Sequence, residues 1–297
     1  MLAYKHERFI AQAIESVLQQ QTDFPLELVI GEDGSPDRTL EVIRRYASTD
    51  KIEIRVRSNA PNIGMMRNFQ ATLEECRGQY VALLEGDDYW TDAEKLQRQV
   101  DLMDSNHKTA ICFHPVDVLE RGVLVQDRRT RVVPECTTIY DLAQGNYMHT
   151  CSVLFRAGLF VDFPPSFLAA SAGDYFLHML NARFGAIQKL ERKMAVYRVH
   201  EGGAWSEAPN MDLKILQYLE CMIGNFAPDV DEILKDRHQR AAFASFMRRV
   251  DEPGSVERLR QCLRYGEDHF ASRISDVLSD VAAFRRSFIG RVVSRLT

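Results

Sequence analysis

The 297-residue sequence predicts an α/β fold: a Rossmann-like, mostly parallel sheet flanked by helices, with a helical C-terminal appendage. Three observations carry this prediction. Segments of strand and helix periodicity alternate over residues 6–104, the pattern that builds a parallel sheet covered on both faces. The apolar run 80–84 ends abruptly in Glu85, Asp87 and Asp88, at the strand end where open α/β sheets bind ligands. From Met211 onward the pattern is almost wholly helical.

Over residues 6–20, Phe9, Ile10, Ala13, Ile14, Val17 and Leu18 fall on one helical face. Residues 26–31 read as a strand. Ser35 and Pro36 then open a helix that runs through Leu40, Val42 and Ile43. Ile52, Ile54 and Val56 alternate within a strand over 51–57, and residues 64–76 form a helix with Met65, Phe69 and Leu73 inward. A strand over 80–85 is followed by a helix over 92–104, which Thr91 and Glu94 open as a capping box. Past Thr109 the strands shorten to 109–116, 122–126 and 151–155. A helix over 173–184 and a strand over 194–200 close this half. The helical remainder breaks near 224–229 and at Pro253-Gly254. The expected division is a first domain of 1–209 and a helical region of 210–297.

Bulk properties narrow the function classes. The net charge of −5 gives no sign of nucleic-acid binding. Cys76, Cys112, Cys136, Cys151, Cys221 and Cys262 form no CxxC pair, which argues against structural zinc and a disulfide framework and fits a reducing cytoplasm. No apolar run is long enough to span a membrane, and Met1 to Glu7 turns polar too soon for a secretory signal. The final stretch, 284–297, has four arginines and no acid. It fits a helix packed on its own domain with a solvated basic face, or one in peripheral contact with an anionic membrane surface.

The acids Glu85, Asp87 and Asp88 repel each other, which raises the cost of ionising them. A divalent cation removes that repulsion, and hard oxygen ligands suit Mg²⁺ or Mn²⁺, ions that commonly carry a phosphate. A solvated acidic turn is the plainer alternative.

Three segments now align in order: Gly31 to Thr39 (GEDGSPDRT), Asn62-Ile63-Gly64 with Arg67-Asn68, and Glu85-Gly86-Asp87-Asp88. In this the chain resembles family 2 glycosyltransferases of the GT-A fold, inverting enzymes that use nucleotide-sugar donors. The resemblance is strong over 4–102, weaker to about Trp205, and does not reach the helical tail. It implies that Asp33 binds the base or ribose, where the turn-making role is the alternative. Asp37 and Thr39 fit local structure instead. The loop at Asn62 and Gly64 would pack on the base, and Arg67 would contact base or phosphate unless it is a plain surface arginine. Asp88 would bind the cation, and Asp87 the ribose or the cation through water, with Glu85 left open. Trp90 would pack beside the site. Asp174 takes the place of the general base, although Gly173 replaces the acid that usually precedes it. His200 stands where a histidine touches metal or diphosphate, and Arg198 could add charge compensation. His6, His114, His149 and His178 have no such context.

The family's first strand is also reduced here to Met1 to Tyr4. Since that strand lies centrally, its neighbours are expected to be left with unpaired backbone groups, at about 1–3 kcal/mol for each buried one. An upstream start or a truncated chain is the corresponding expectation. Lys5 replaces the Asn more usual after that tyrosine. The implied activity is transfer of a sugar from a nucleotide-diphosphate sugar to a hydroxyl acceptor, a cell-envelope glycan or a lipid-linked acceptor. The protein would be cytoplasmic or peripheral at the inner membrane face. Rival readings are a metal-dependent nucleotidyltransferase, which lacks here the basic phosphate loop it needs, and a non-catalytic, degenerate nucleotide-sugar-binding protein.

Overall fold

The computed structural model describes residues 1–203 and 210–248. The first half contains β1 (Leu2–Ala3), α1 (Ile10–Leu18), β2 (Leu26–Glu32), α2 (Thr39–Ile43), β3 (Ile52–Ser58), α3 (Met65–Glu74), β4 (Tyr80–Ala82), β5 (Tyr89–Trp90) and α4 (Lys95–Ser105). The second contains β6 (Thr109–Phe113), β7 (Asp117–Glu120), β8 (Val123–Val125), β9 (Cys136–Thr137), α5 (Ile139–Ala143), β10 (Leu154–Arg156), α6 (Gly173–Ala182), β11 (Ala186–Lys189) and β12 (Ala195–Val199). Helices α7 (Met211–Met222) and α8 (Pro228–Arg248) follow. Residues 284–297, with their four arginines, lie outside the described residues.

Strands β1, β2 and β3 are parallel. Beyond β1 the sheet continues through the end of the β4 segment, where Leu2 bridges Glu85 in parallel. It then runs β4-β10-β6-β11-β9, with β10 antiparallel to both its neighbours. A smaller sheet, β5-β12-β7-β8, carries the loop after β12 toward the acid cluster. The sheet is therefore parallel in its first half and mixed in its second. Apolar runs without alternation are explained by burial on both faces. Leu83 belongs to the core under α3 and α6, while its neighbour Leu84 belongs to the core with α1 and α4. Ile111 and Cys112 divide in the same way. Tyr218, Leu219 and Met222 of α7, with Val230 and Leu234 of α8, share the first of these cores.

The reduced first strand fills the centre of the sheet better than expected. Gly31 and Asp33 donate to the carbonyls of Met1 and Ala3 (2.9 and 3.0 Å). On the other side Leu2 donates to Leu84 and Gly86 donates to Leu2 (3.3 and 2.8 Å). The Met1 ammonium donates to the Val29 carbonyl at 2.7 Å. The neighbours around the site are thus paired, not left open. Lys5 follows with φ of 60°, in the left-handed region that Asn tolerates better than Lys, so that replacement has a conformational cost.

Two helix starts differ from the sequence reading. Helix α2 begins at Thr39, because Asp37 accepts from the Thr39 amide and hydroxyl (3.1 and 2.6 Å) and from the Glu7 amide, while Ser35 accepts from Lys5. Helix α4 begins at Lys95, because Asp92 takes the Glu94 amide and the side chain of Gln20 takes the Leu96 amide. Residues 117–120, which fall between the expected strands 109–116 and 122–126, are strand β7 in a hairpin with β8.

Candidate active site

The Glu85-Gly86-Asp87-Asp88 turn closes against β1. A Cβ on Gly86 would lie 2.7 Å from Ile10 Cδ1 and 2.8 Å from His6 Nδ1, so a side chain there would push the turn outward. In the closed turn, ligand atoms of Glu85, Asp87 and Asp88 lie within 4.8 Å of one another. Burial and the facing charges of Asp87, Asp88 and Asp174 hold the Glu85 carboxyl well above the usual carboxylate range. Burial and Asp87 do the same to Asp88. Burial also pushes Asp87 upward, but the hydrogen bond with His200 and the nearby imidazoles outweigh it and leave Asp87 low.

The loop after β12 braces this turn. The Arg198 amide donates to Asp88 Oδ1 at 2.7 Å. Its guanidinium donates to the Asp87 carbonyl and to Gln12 Oε1, and lies 4.6 Å over Phe9 and 5.1 Å over Tyr89. Arg198 is engaged here as a brace for the acids. His200 Nε2 meets Asp87 Oδ2 at 3.0 Å, and its Nδ1 meets the Glu201 carbonyl. The Asp87 bond raises the His200 pKa above its ordinary value. With both nitrogens engaged, His200 reaches the acid cluster through Asp87. His6 Nε2 stands 3.8 Å from the same Asp87 oxygen, while its burial holds its pKa down. Trp90 packs beneath the turn and donates to the Cys151 carbonyl at 2.9 Å.

The residues fit a hard cation. Asp87 Oδ1 and Asp88 Oδ2 are buried, and apart from the weak thiol donor of Cys151 beside Asp88, no hydrogen-bond donor among the described residues reaches them. Buried carboxylate oxygens without a donor are costly, and a cation is the partner they lack.

Asp33 lies at the end of β2 and is 2% exposed. Its carboxylate accepts from Asn59 Nδ2 and the Ile63 amide on one oxygen (3.0 and 2.9 Å), and from the Gly64 amide on the other (3.0 Å). Asn62 donates to the Asp33 carbonyl and its own side-chain oxygen accepts from Gly64. Gly64 has φ of 92°, open to glycine. The structure therefore brings Asp33, Asn62 and Gly64 into one unit, with Asp33 organising the loop. Arg67 is exposed, with no hydrogen bond or ion pair among the described residues. Both the ligand role and the surface role stay open to it.

Asp174 lies in the first turn of α6, where Ala172 is the N-cap and no side chain caps the helix. Asp174 therefore does not act as the helix cap. Its Oδ2 accepts from Thr150 Oγ1 at 3.0 Å, and its charge reaches Glu85. Gly173 is explained by packing: a Cβ there would lie 2.7 Å from Phe69 Cδ1 and 2.8 Å from Met66 Sδ. Sequence reasoning missed His6 and Thr150. Nothing local marks either one; they join the site only through contacts made across the fold.

Comparison with known proteins identifies the family and the fold. Residues 1–160 match the model of Glycosyl transferase family 2. An uncharacterized protein of Mycobacterium tuberculosis (strain ATCC 25618 / H37Rv) is 36% identical over 209 residues, covering 70% of this chain and 60% of the relative. The chain thus spans under two thirds of that relative's length. Staphylococcus aureus TarS 1–349 in complex with UDP-GlcNAc superposes with a TM-score of 0.65 at 18% identity, covering 88% of this chain and 78% of that one. The mannosyltransferase PcManGT from Pyrobaculum calidifontis, in complex with GDP-Man and Mn²⁺, gives 0.60 at 15%, covering 94% and 78%. The shared fold is that of GT-A glycosyltransferases.

Proposed function

Since the chain belongs to glycosyl transferase family 2, we propose that it moves a sugar, with inversion, from a nucleotide-diphosphate sugar to a hydroxyl acceptor. The observation that supports this reading best is convergence. The acids of the turn after β4, the loop organised by Asp33, and Asp174 at the start of α6 gather at one end of the sheet, and the charge of Asp174 reaches Glu85. Asp33, Asn62, Gly64 and Arg67 are assigned to the nucleotide, Asp87 to the ribose or to the cation through water. Asp88 is assigned to the cation, with His200 acting on the cation and diphosphate region. A bound Mn²⁺ or Mg²⁺ supplies Lewis-acid stabilisation of the departing diphosphate. Asp174 takes the proton of the acceptor hydroxyl as its oxygen bonds to the anomeric carbon. The bond from that carbon to the diphosphate oxygen breaks on the opposite face, and the nucleotide leaves as diphosphate.

We assign the acceptor to envelope glycans or glycolipids made at the cytoplasmic side of the membrane; this assignment rests on the resemblance alone. The test is turnover of UDP- and GDP-sugars with Mn²⁺. Loss of turnover in Asp174→Asn, with nucleotide binding retained in a thermal-shift assay, is the expected result. Wild-type turnover in that variant sinks the base assignment. A protein that binds nucleotide but never turns over donor is instead a binding protein.

A further inference from the structure

Resting on the assignment of Asp174 as base, we propose that Thr150 is the positioning residue of that carboxylate and that an Asp127–His149 clasp holds the turn carrying it. Thr150 Oγ1 donates to Asp174 Oδ2 at 3.0 Å, which leaves the other carboxylate oxygen for an acceptor. Thr150 opens a single 3₁₀ turn, Thr150–Ser152, and that turn is fixed from several directions. Trp90 donates to the Cys151 carbonyl, and Gln99 to the Ser152 carbonyl, both at 2.9 Å. The Ser152 amide and hydroxyl donate to the His149 carbonyl (2.9 and 2.7 Å). His149 in turn meets Asp127 Oδ2 at 2.9 Å through Nε2, and its ring lies 4.7 Å from that of Tyr197. Asp127 is itself tied by the Arg129 amide and the Thr130 hydroxyl. Cys151 and Ser152 are fully buried, so the turn has little freedom to carry Thr150 elsewhere.

A hydroxyl donated to the Asp174 carboxylate selects one rotamer of that side chain and leaves its second oxygen free. The other groups facing Asp174 are Glu85 from the acid turn, His178 one helical turn on, and Tyr218 from α7. None of these donates a hydrogen bond to it among the described residues, so Thr150 is the directional contact.

The test measures donor turnover by the full chain with Mn²⁺. In Thr150→Val and Thr150→Ala, turnover of a UDP- or GDP-sugar should fall about 10- to 100-fold in kcat with donor KM unchanged, since Thr150 orients the base without holding the donor, and Thr150→Ser should restore it. Asp127→Asn should lower kcat in the same way. Wild-type kcat in both Thr150→Val and Thr150→Ala overturns the positioning role, and wild-type kcat in Asp127→Asn overturns the clasp. Failure of the base reading looks different: Asp174→Asn would then turn over donor at the wild-type rate.

Discussion

Asp88→Asn should stabilise the metal-free protein while removing its response to metal. Ligand atoms of Glu85, Asp87 and Asp88 lie within 4.8 Å of one another. At an effective dielectric of about 20, two unit charges at that distance repel by about 3.5 kcal/mol. Burial first, and this repulsion after it, make Glu85 and Asp88 titrate high, and the protein relieves part of the repulsion by retaining protons. The sign follows from linkage. With folded pKa values above the unfolded ones, the native state holds more protons, so its stability falls as pH rises from the ordinary carboxylate range through the folded values. Asn keeps the acceptor for the Arg198 amide but brings a buried NH₂ whose loss of water costs about 1–3 kcal/mol if it stays unpaired. The balance at pH 8 is a net gain of about 1 kcal/mol, or about 2–4 °C in Tm. Thermal melts in EDTA should show the variant above the wild type, and Mn²⁺ should lift only the wild type. A variant that melts below the wild type in EDTA at pH 8, or that keeps the full Mn²⁺ shift, refutes the metal-site reasoning.

Three further outcomes follow from the packing. Lys95 is fully buried, bonded to Gln99 Oε1 at 2.7 Å and lying 4.2 Å over Trp90, and burial lowers its pKa to about 7. Its folded value lies below the unfolded one, so stability should rise with pH from about 7 to about 10. In Lys95→Met that rise should flatten and the pH 7 urea midpoint should increase. Lys5→Asn should gain about 0.5–1 kcal/mol, read as a higher urea midpoint, because Asn tolerates the φ of 60°. Gly173→Asp should lose about 1–3 kcal/mol, since its Cβ would overlap Phe69 and Met66, and chemical denaturation would expose an unchanged midpoint.

What was legible in the sequence was what depends on neighbours along the chain. The periodic strands at 26–32, 52–58 and 109–113 and the helices packed on them stand where the pattern put them. The early starts of α2 and α4 were misplaced because Asp37 and Asp92 bond nearby amides while Gln20, distant in sequence, supplies a missing cap. Strands β9 and β11 escaped notice because Cys136–Thr137 and Ala186–Lys189 are too short and mixed to show a period. In the site, the acid cluster and Asp174 were visible as motifs. His6 was not, because its nearness to Asp87 arises only when the turn folds back over Gly86. Gly173 read as a weakness, and only the Phe69 and Met66 contacts show it as a fitted position.

The two-residue strand β1 also has a bearing on how the molecule breathes. Among the described residues, the ladder bonds joining β2 and the loop organised by Asp33 to the acid turn pass through Leu2 alone, from its amide to Leu84 and from Gly86 to its carbonyl. Local openings of a sheet begin where few bonds must break together. The Leu2 and Gly86 amides are therefore natural reporters of any sliding between the two halves. Their hydrogen exchange should run faster than that of Arg55 or Ile30 in the ladder between β2 and β3, and it should slow when a nucleotide and a cation grip both halves at once.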